Sequence, residues 1–434
     1  MSDLPPATDS TSAPTPKPRL RTVDRQQLLP AMPLEDLLDT DHQARVVWDF
    51  VSQLDLSPLY APIRAVEGGP GRPAIDPRIL TAVWLYATLE GVGSARALSW
   101  LCDHHNAFRW LAGGVAINYH TLSDFRVDEV DFLDRTLTHS VAVLREQDLV
   151  DLNRVAQDGM RVRAAAGAAS FHRRGTLEEH LHQAQDQVQR LKQELGHDPA
   201  APGRRQAAAQ RRAAGEREER LRQALARLPE LEAKKKAGEQ DKARASSTDP
   251  EATVMKMADG GFRPAYNFQF STACSSQVIV GVDVLTTGSD MGQIAPMNQQ
   301  IHDRHEVYPK EALVDGGFAK HQDIEATATQ CEGCQVYAPV PEPKDPERDR
   351  YARHEGDSPA VAEWRARMAT EPAKQIYKQR AATAECVNAQ ARNRGLVRLL
   401  VRGLKKVRAI ALWYAIAHNV VCGVRLRARA ALAG

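Results

Sequence analysis

Cysteine is scarce. The six residues are scattered from Cys102 to Cys422 without the spacing of a disulfide framework, which excludes a small oxidised scaffold and fits a reducing cytoplasm. Only Cys331 and Cys334 have CxxC spacing, and no second pair follows to complete a zinc site. Long apolar runs are missing too. The longest, Ala409 to Val424, contains His418 and Asn419, is too short to span a bilayer and reads as a buried C-terminal helix. The opening stretch, MSDLPPATDSTSAPTPKPR, is rich in Pro, Ser and Thr and lacks an apolar centre. It reads as part of a disordered tail over 1–33, not as a signal peptide. Nor is there a strong excess of charge: the formal net charge is +2, so composition alone announces no nucleic-acid partner.

What is there describes a globular chain. With 434 residues, 43% apolar and 26% charged, it has room for two or three domains. From Leu34 to about Val150 the pattern is helical. Val46, Val47, Phe50, Val51 and Leu54 recur at helical spacing. A Gly/Pro-rich loop with Arg72 follows, then a helix in PRILTAVWLYATLEG and another in SARALSWLCDHHNAFRWLAG. NYHTLSDFR places Thr121 or Ser123 at the N-cap of a further helix. Short helices joined by tight turns suit a helix-turn-helix type of DNA-binding module over 34–150.

From residue 151 strands appear. LNRVAQDGMRV, AYNFQFSTA, QVIVGVDVL, EALVDGGF and CQVYAPV alternate with helical patterns around MGQIAPMNQQIHDRH, KHQDIEATATQ and Pro372 to Asn393, which indicates an α/β core over 151–434. A charged segment dominated by Ala, Arg, Gln, Glu and Leu, from Leu177 to about Ala243, reads as a helical hairpin broken at GHDPAAPG. It is an insertion bounded at about 171–247.

The segment YKQRAATAECVNAQAR carries the sharpest chemistry. As one helix at about 100° per residue, Tyr377, Arg380, Glu385 and Arg392 fall within a wedge of roughly 140°. An acid among phosphate-reaching donors suggests a metal ligand beside a nucleic-acid backbone; an ordinary solvated face is the alternative. Next, Arg394, Arg398, Arg402 and Lys406 recur every four residues, which predicts one helix with a basic stripe for DNA backbone contact.

Metal-dependent phosphoryl transfer needs acidic side chains gathered from strand ends, because hard divalent cations take oxygen ligands. Asp158 closes the first strand. Asp315 ends the apolar ALV, where a charge needs a cation or partner, and Glu385 comes from the later helix. Asp259, in a second DGGF, reads as a turn. Asp283 ranks behind Asp315.

These residues resemble the DDE transposases of bacterial insertion sequences, from about Asp41 to His418. AQDGMRVRAAAG is similar to the strand carrying the first Asp, ALVDGGFAKHQDI to the second motif, and YKQRAATAECVN to the Tyr-x2-Arg-x4-Glu form of the third. GRPAIDPRILTAVWLYATLEGVGSARAL resembles the N-terminal domain of many such enzymes. The resemblance implies an RNase H-like catalytic core, a mostly helical N-terminal DNA-binding domain and a helical insertion. It further implies Asp158, Asp315 and Glu385 as ligands of two Mg2+ ions (Mn2+ substituting), with Tyr377, Arg380 and Arg392 on a phosphate. Arg392 stands where some relatives carry Lys, which keeps the charge and adds bidentate phosphate binding. Arg398 and Arg402 would touch the backbone, and Arg72, Arg96, His120 and Arg126 the element's ends. Trp364 would stack on an unpaired base or sit buried as a structural residue. The expected activity is cleavage at terminal inverted repeats and joining of the 3′-hydroxyl to target DNA, by a cytoplasmic homodimer on double-stranded DNA. A nuclease without strand transfer, or an inactive DNA-binding descendant, are the alternatives.

Overall fold

The computed structural model describes residues 19–23, 33–197, 204–343, 345 and 347–433, so most of the expected 1–33 tail, and the hairpin break from 198 to 203, lie outside the described residues. The chain packs as two compact units, residues 1–84 with 99–122, and residues 85–98 with 123–434.

The first unit is helical. It opens with β1 (Leu20–Arg21), α1 (Gln43–Ser52) and α2 (Ser57–Tyr60), and β2 (Ala74–Ile75) pairs in parallel with β1. It also holds the start of α3 (Pro77–Leu89), α4 (Ala95–His104) from Ser99 on, α5 (Asn106–Ala112), and the start of α6 (Tyr119–Asp128). Val47, Val51, Ile79, Trp84, Phe108 and Trp110 form its core. Trp48 meets Trp110 edge-on at 6.2 Å, and Arg45 lies 4.9 Å over the Trp110 ring. The SARAL…LAG pattern is two helices, not one, because His105 takes an extended conformation (φ −106, ψ 126) between them. The next helix starts earlier than Thr121: Asn118 Oδ1 accepts the Thr121 N–H at 3.0 Å, and Asn is as good an N-cap as Ser or Thr.

The second unit is mixed α/β. Helix α7 (Val130–Glu146) precedes β3 (Arg154–Arg163). Then come β4 (Phe171–His172), α8 (Arg174–His197), α9 (Arg204–Ala233) and β5 (Ala245–Ser246). Antiparallel pairing of β4 with β5 closes this excursion at its base, and Leu177, Ala184, Leu221, Ala224 and Leu228 give the hairpin its own apolar seam. The chain continues through β6 (Thr253–Lys256), β7 (Phe262–Ala273), β8 (Ile279–Leu285), α10 (Ile294–His305), β9 (Glu311–Leu313), α11 (His321–Gln330) and β10 (Gln335–Tyr337). Helices α12 (Pro359–Ala369), α13 (Glu371–Arg380), α14 (Cys386–Asn393) and α15 (Leu404–Ala433) complete it.

The sheet runs β10-β9-β3-β7, with β6 and β8 each pairing β7. β7 lies antiparallel between β3 and β8, while β9 adds in parallel on the other side of β3 and β10 in parallel beyond it. Period-two alternation separates the two faces of β3 and β7. Phe268 and Phe270 turn one way, and Phe270 meets Tyr414 of α15 at 5.5 Å. Gln157, Asn267, Gln269 and Ser271 occupy the alternate positions and are all buried. By length and composition α15 is apolar enough to cross a membrane, but 78% of its apolar window is buried inside the protein. It is a core helix, as the run Ala409 to Val424 predicts.

Candidate active site

Three carboxylates from distant parts of the second unit converge on one guanidinium. Arg380 is 8% exposed. Its Nη1 donates to Glu385 Oε1 at 2.7 Å, and its Nη2 lies 3.8 Å from Asp158 Oδ2 and 3.9 Å from Asp315 Oδ2.

Each carboxylate is placed by local structure. Asp158 sits mid-way along β3, opposite Phe270, and does not end the strand as expected, since pairing with β7 continues to Arg163. Its Oδ1 accepts the Gly159 N–H at 2.9 Å and its Oδ2 accepts the Asn388 amide at 3.1 Å. Burial, and next the Asp315 charge, push its carboxyl up to about 6 against the pull of Arg380. Asp315 lies just beyond β9, where its Oδ1 accepts the Gly317 N–H at 2.8 Å and caps the DGGF turn. Its side chain is 40% exposed.

Glu385 closes a single π-turn, Ala381–Glu385, between α13 and α14. The segment read as one regular helix therefore carries an inserted residue. A π-turn bonds residue i to i+5, so residues five apart stack one above the other. That phase shift points Glu385 back at Arg380, and buried Thr383 and Ala384 seat the turn on β3 and β7. Tyr377, one turn before Arg380, is partly buried. Burial pushes its phenol up, and the charges of Asp315, Glu385 and Asp158 add to that against the pull of Arg380.

Two further residues escape a motif reading. Asn388 is 3% exposed and belongs to the helix of Glu385, yet it grips Asp158 across 230 residues of sequence. Its signal is the i, i+3 spacing from Glu385, which puts both on one helix face. Asp290 lies behind β3, taking hydrogen bonds from Asn267 and Gln269, each at 2.6 Å. A Cβ on Gly159 would run into Asp290 Oδ1 and lie 2.6 Å from Gln269 Nε2. Glycine is thus demanded beside Asp158 by packing, not by a turn. The sequence hint is the polar set at alternate positions of two apolar strands. Asp283 lies on β8 opposite Gln269, on the sheet face away from Asp158, and Asp259 caps a turn as expected.

The remaining predicted contacts divide. Arg392 is exposed, two turns beyond Glu385 on α14. The basic stripe is not helical: α14 ends at Asn393, Gly395 and Gly403 take left-handed conformations (φ +79 and +86), and residues 397–399 run extended beside Arg163. Arg398 and Arg402 are exposed on this connector. Arg72, Arg96 and His120 are exposed, whereas Arg126 is 6% exposed and donates to the Gly93 carbonyl. Trp364 is fully buried, with its Nε1 donating to the Ala338 carbonyl at 3.2 Å, which removes it as a base-stacking surface. Cys331 and Cys334 are buried free thiols.

Among the described residues no group of three or more His, Cys, Asp or Glu side chains stands close enough to hold a metal ion. The donor chemistry nonetheless fits a hard divalent cation. Three carboxylates face one positive charge, and Asn388 Oδ1 beside them is buried without a partner.

Two family models match this chain. The transposase DDE domain matches residues 310–422, spanning Asp315, Tyr377, Arg380 and Glu385 but not Asp158. The transposase domain (DUF772) matches residues 32–128. Comparison with curated proteins and with solved structures finds no match. The two matches point to a transposase. More narrowly, the two matches together support a DDE transposase of insertion-sequence type. Enzymes of this family transpose DNA and use divalent metal ions.

Proposed function

We propose that this enzyme binds the terminal inverted repeats of its own element, cleaves there, and joins the freed 3′-hydroxyl to target DNA. The observation that carries the reading is the convergence of Asp158, Asp315 and Glu385 on Arg380. The strand order supports an RNase H-like core, with three antiparallel strands followed by two parallel ones and the first strand central.

Asp158, Asp315 and Glu385 would hold two Mg2+ ions, with Mn2+ as substitute. Bound there, such ions activate the attacking oxygen and stabilise the leaving one. The chain's own residues do the rest. Asn388 and the Gly159 N–H fix both Asp158 oxygens, so the carboxylate is held in one orientation. Arg380, with Tyr377 and Arg392, neutralises and orients a phosphate at the scissile position. Arg398 and Arg402 extend backbone contact along the duplex. The helical region 34–150 reads the ends, with Arg72 and His120 exposed for contact. A homodimer on DNA, acting in the cytoplasm at the nucleoid, completes the reading, since two ends must each meet an active site.

An excision and joining assay in cells, using the native flanking DNA, tests this. Wild type is compared with Glu385→Gln, which keeps the shape and removes the ligand charge. Activity in wild type and none in a soluble, end-binding variant supports the assignment. Equal activity in both removes Glu385 from the mechanism. Cleaved ends without joined products identify a nuclease, and end binding without cleavage by either protein identifies a DNA-binding descendant.

A further inference from the structure

Helix α9 of the insertion and the connector into α15 enclose a groove of about 860 Å³ that contains none of the three catalytic carboxylates. From α9 it is lined by Glu216, Glu219, Arg220 and Gln223, which share one helical face. Arg402 and Lys406 line the opposite wall.

The acids in this groove each have a partner, although Asp249 Oδ2 is buried without a hydrogen bond. Asp249 Oδ1 accepts the Tyr266 hydroxyl at 2.7 Å and the Gly403 N–H at 3.2 Å, and burial pushes its carboxyl up. Glu251 accepts the Leu404 N–H at 2.6 Å, Glu219 accepts the Gln223 amide at 3.0 Å, and Glu216 lies 3.9 Å from Arg220. The cations are less satisfied. Among the described residues Arg402 makes one hydrogen bond, from its Nε to the Ala165 carbonyl at 3.3 Å, and its charge also faces Asp249. Arg220 Nε is buried without an acceptor, and burial, then the nearby Arg402 charge, push its guanidinium down against the pull of Glu216. Lys406 is exposed and has no carboxylate partner among the described residues. Like charges held together are costly unless an anion joins them. One turn further out, exposed Arg212 continues the face of Glu216, Glu219 and Gln223, and between residues 204 and 215 the sequence holds four arginines and no acid.

We propose that the helical insertion is a DNA arm: its α9 face and the connector form a track for duplex phosphates, held by Arg212, Arg220, Arg402 and Lys406. This rests on the transposase reading and adds a contact surface apart from the catalytic carboxylates. Phosphate contacts of this type carry no sequence information, so the arm adds affinity uniformly.

The test uses the full chain and fluorescence anisotropy over a KCl series, with a duplex of the element's end and an unrelated duplex of equal length. For Arg212→Gln/Arg220→Gln, affinity for both duplexes is expected to fall by the same factor, about tenfold. The slope of log K against log [KCl] is expected to shrink by about 2, since each phosphate contact contributes roughly 0.9. Arg212→Gln alone, at an exposed position that leaves folding untouched, is expected to reduce it by about 1. Unchanged slopes in both variants, with wild type binding and cleaving its ends, overturn the arm and leave the transposase reading intact. Unchanged slopes with lost self-association in sedimentation make the hairpin a subunit contact and overturn it too. A wild type that binds neither duplex sinks both readings.

Discussion

Arg380 and Glu385 are joined by a 2.7 Å hydrogen bond across a π-turn, five residues apart in sequence. In a regular α-helix residues five apart point in different directions. The inserted residue therefore creates the pairing, and through it the meeting of all three carboxylates. The guanidinium places a positive charge at the point where the proposed metals would bind. Replacing Arg380 by Gln is expected to tighten Mn2+ binding several-fold at pH 8, because a competing cation is removed, and to abolish end cleavage, because the phosphate grip is lost. Calorimetric Mn2+ titration beside the cleavage assay checks both halves. Weaker Mn2+ binding in the variant would mean that Arg380 organises the carboxylates instead of competing for them.

Gly159→Ala is expected to destabilise the protein by at least about 2 kcal/mol, since overpacking a filled interior commonly costs 1–3 kcal/mol. The new methyl group would meet Asp290, Gln269 and Asn267, all buried and tied together by hydrogen bonds. Gly215→Ala is the control. Nothing lies within 4 Å of the place its new methyl group would take inside α9, so the gain in helix propensity should add about 0.5–1 kcal/mol. Denaturant melts of the two variants should move in opposite directions. A Gly159→Ala protein as stable as wild type would refute the packing account.

Asn388→Ala leaves Asp158 Oδ2 with only the more distant Arg380 as partner. Positioning groups around metal-binding carboxylates typically contribute 10–100-fold, so kcat for end cleavage is expected to fall by about that factor. KM for DNA should stay within about twofold, and stability should drop by only about 1 kcal/mol, the usual net worth of a hydrogen bond. A collapse in stability matching the loss of activity would instead assign Asn388 a purely structural part.

The core strands and the three acidic motifs were legible because strand periodicity and local motifs are short-range signals. Asp158, Asp315 and Glu385 do meet at Arg380. The failures share a cause. Four evenly spaced cations from Arg394 to Lys406 suggest one helix only if the backbone continues, and Gly395 and Gly403 in left-handed conformations stop it. A π-turn has no composition signal of its own, so the true phase of Tyr377, Arg380 and Glu385 depends on how Thr383 and Ala384 seat on the sheet. Asn388 bonds to Asp158 across 230 residues, and Asp290 to Asn267 and Gln269 across a strand turn, so the partners of both are fixed by tertiary pairing and not by local pattern.

Stability should depend on pH through three buried groups of opposite sign. Burial holds His305 and His418 down to about 4, and pushes Asp158 up to about 6. For the two histidines, stability is fully present above about pH 6.5 and is lost as pH falls towards 4, because the unfolded chain takes up protons that the fold refuses. Asp158 acts the other way: the folded protein holds its proton below about pH 6 while the unfolded chain releases it, so stability from this group is lost as pH rises. Between about pH 6 and 4.5 these three groups should therefore contribute a loss of roughly 1.4 kcal/mol per pH unit to the metal-free protein, the balance of two protons against one. Asp158→Asn should steepen the slope by about 1.4 kcal/mol per unit, and His305→Gln/His418→Gln should shift it the opposite way by about 2.7 kcal/mol per unit. Chemical denaturation across this window reads the slopes directly. Identical slopes in wild type and both variants would show that these three groups are not the ones the fold forces away from their ordinary protonation.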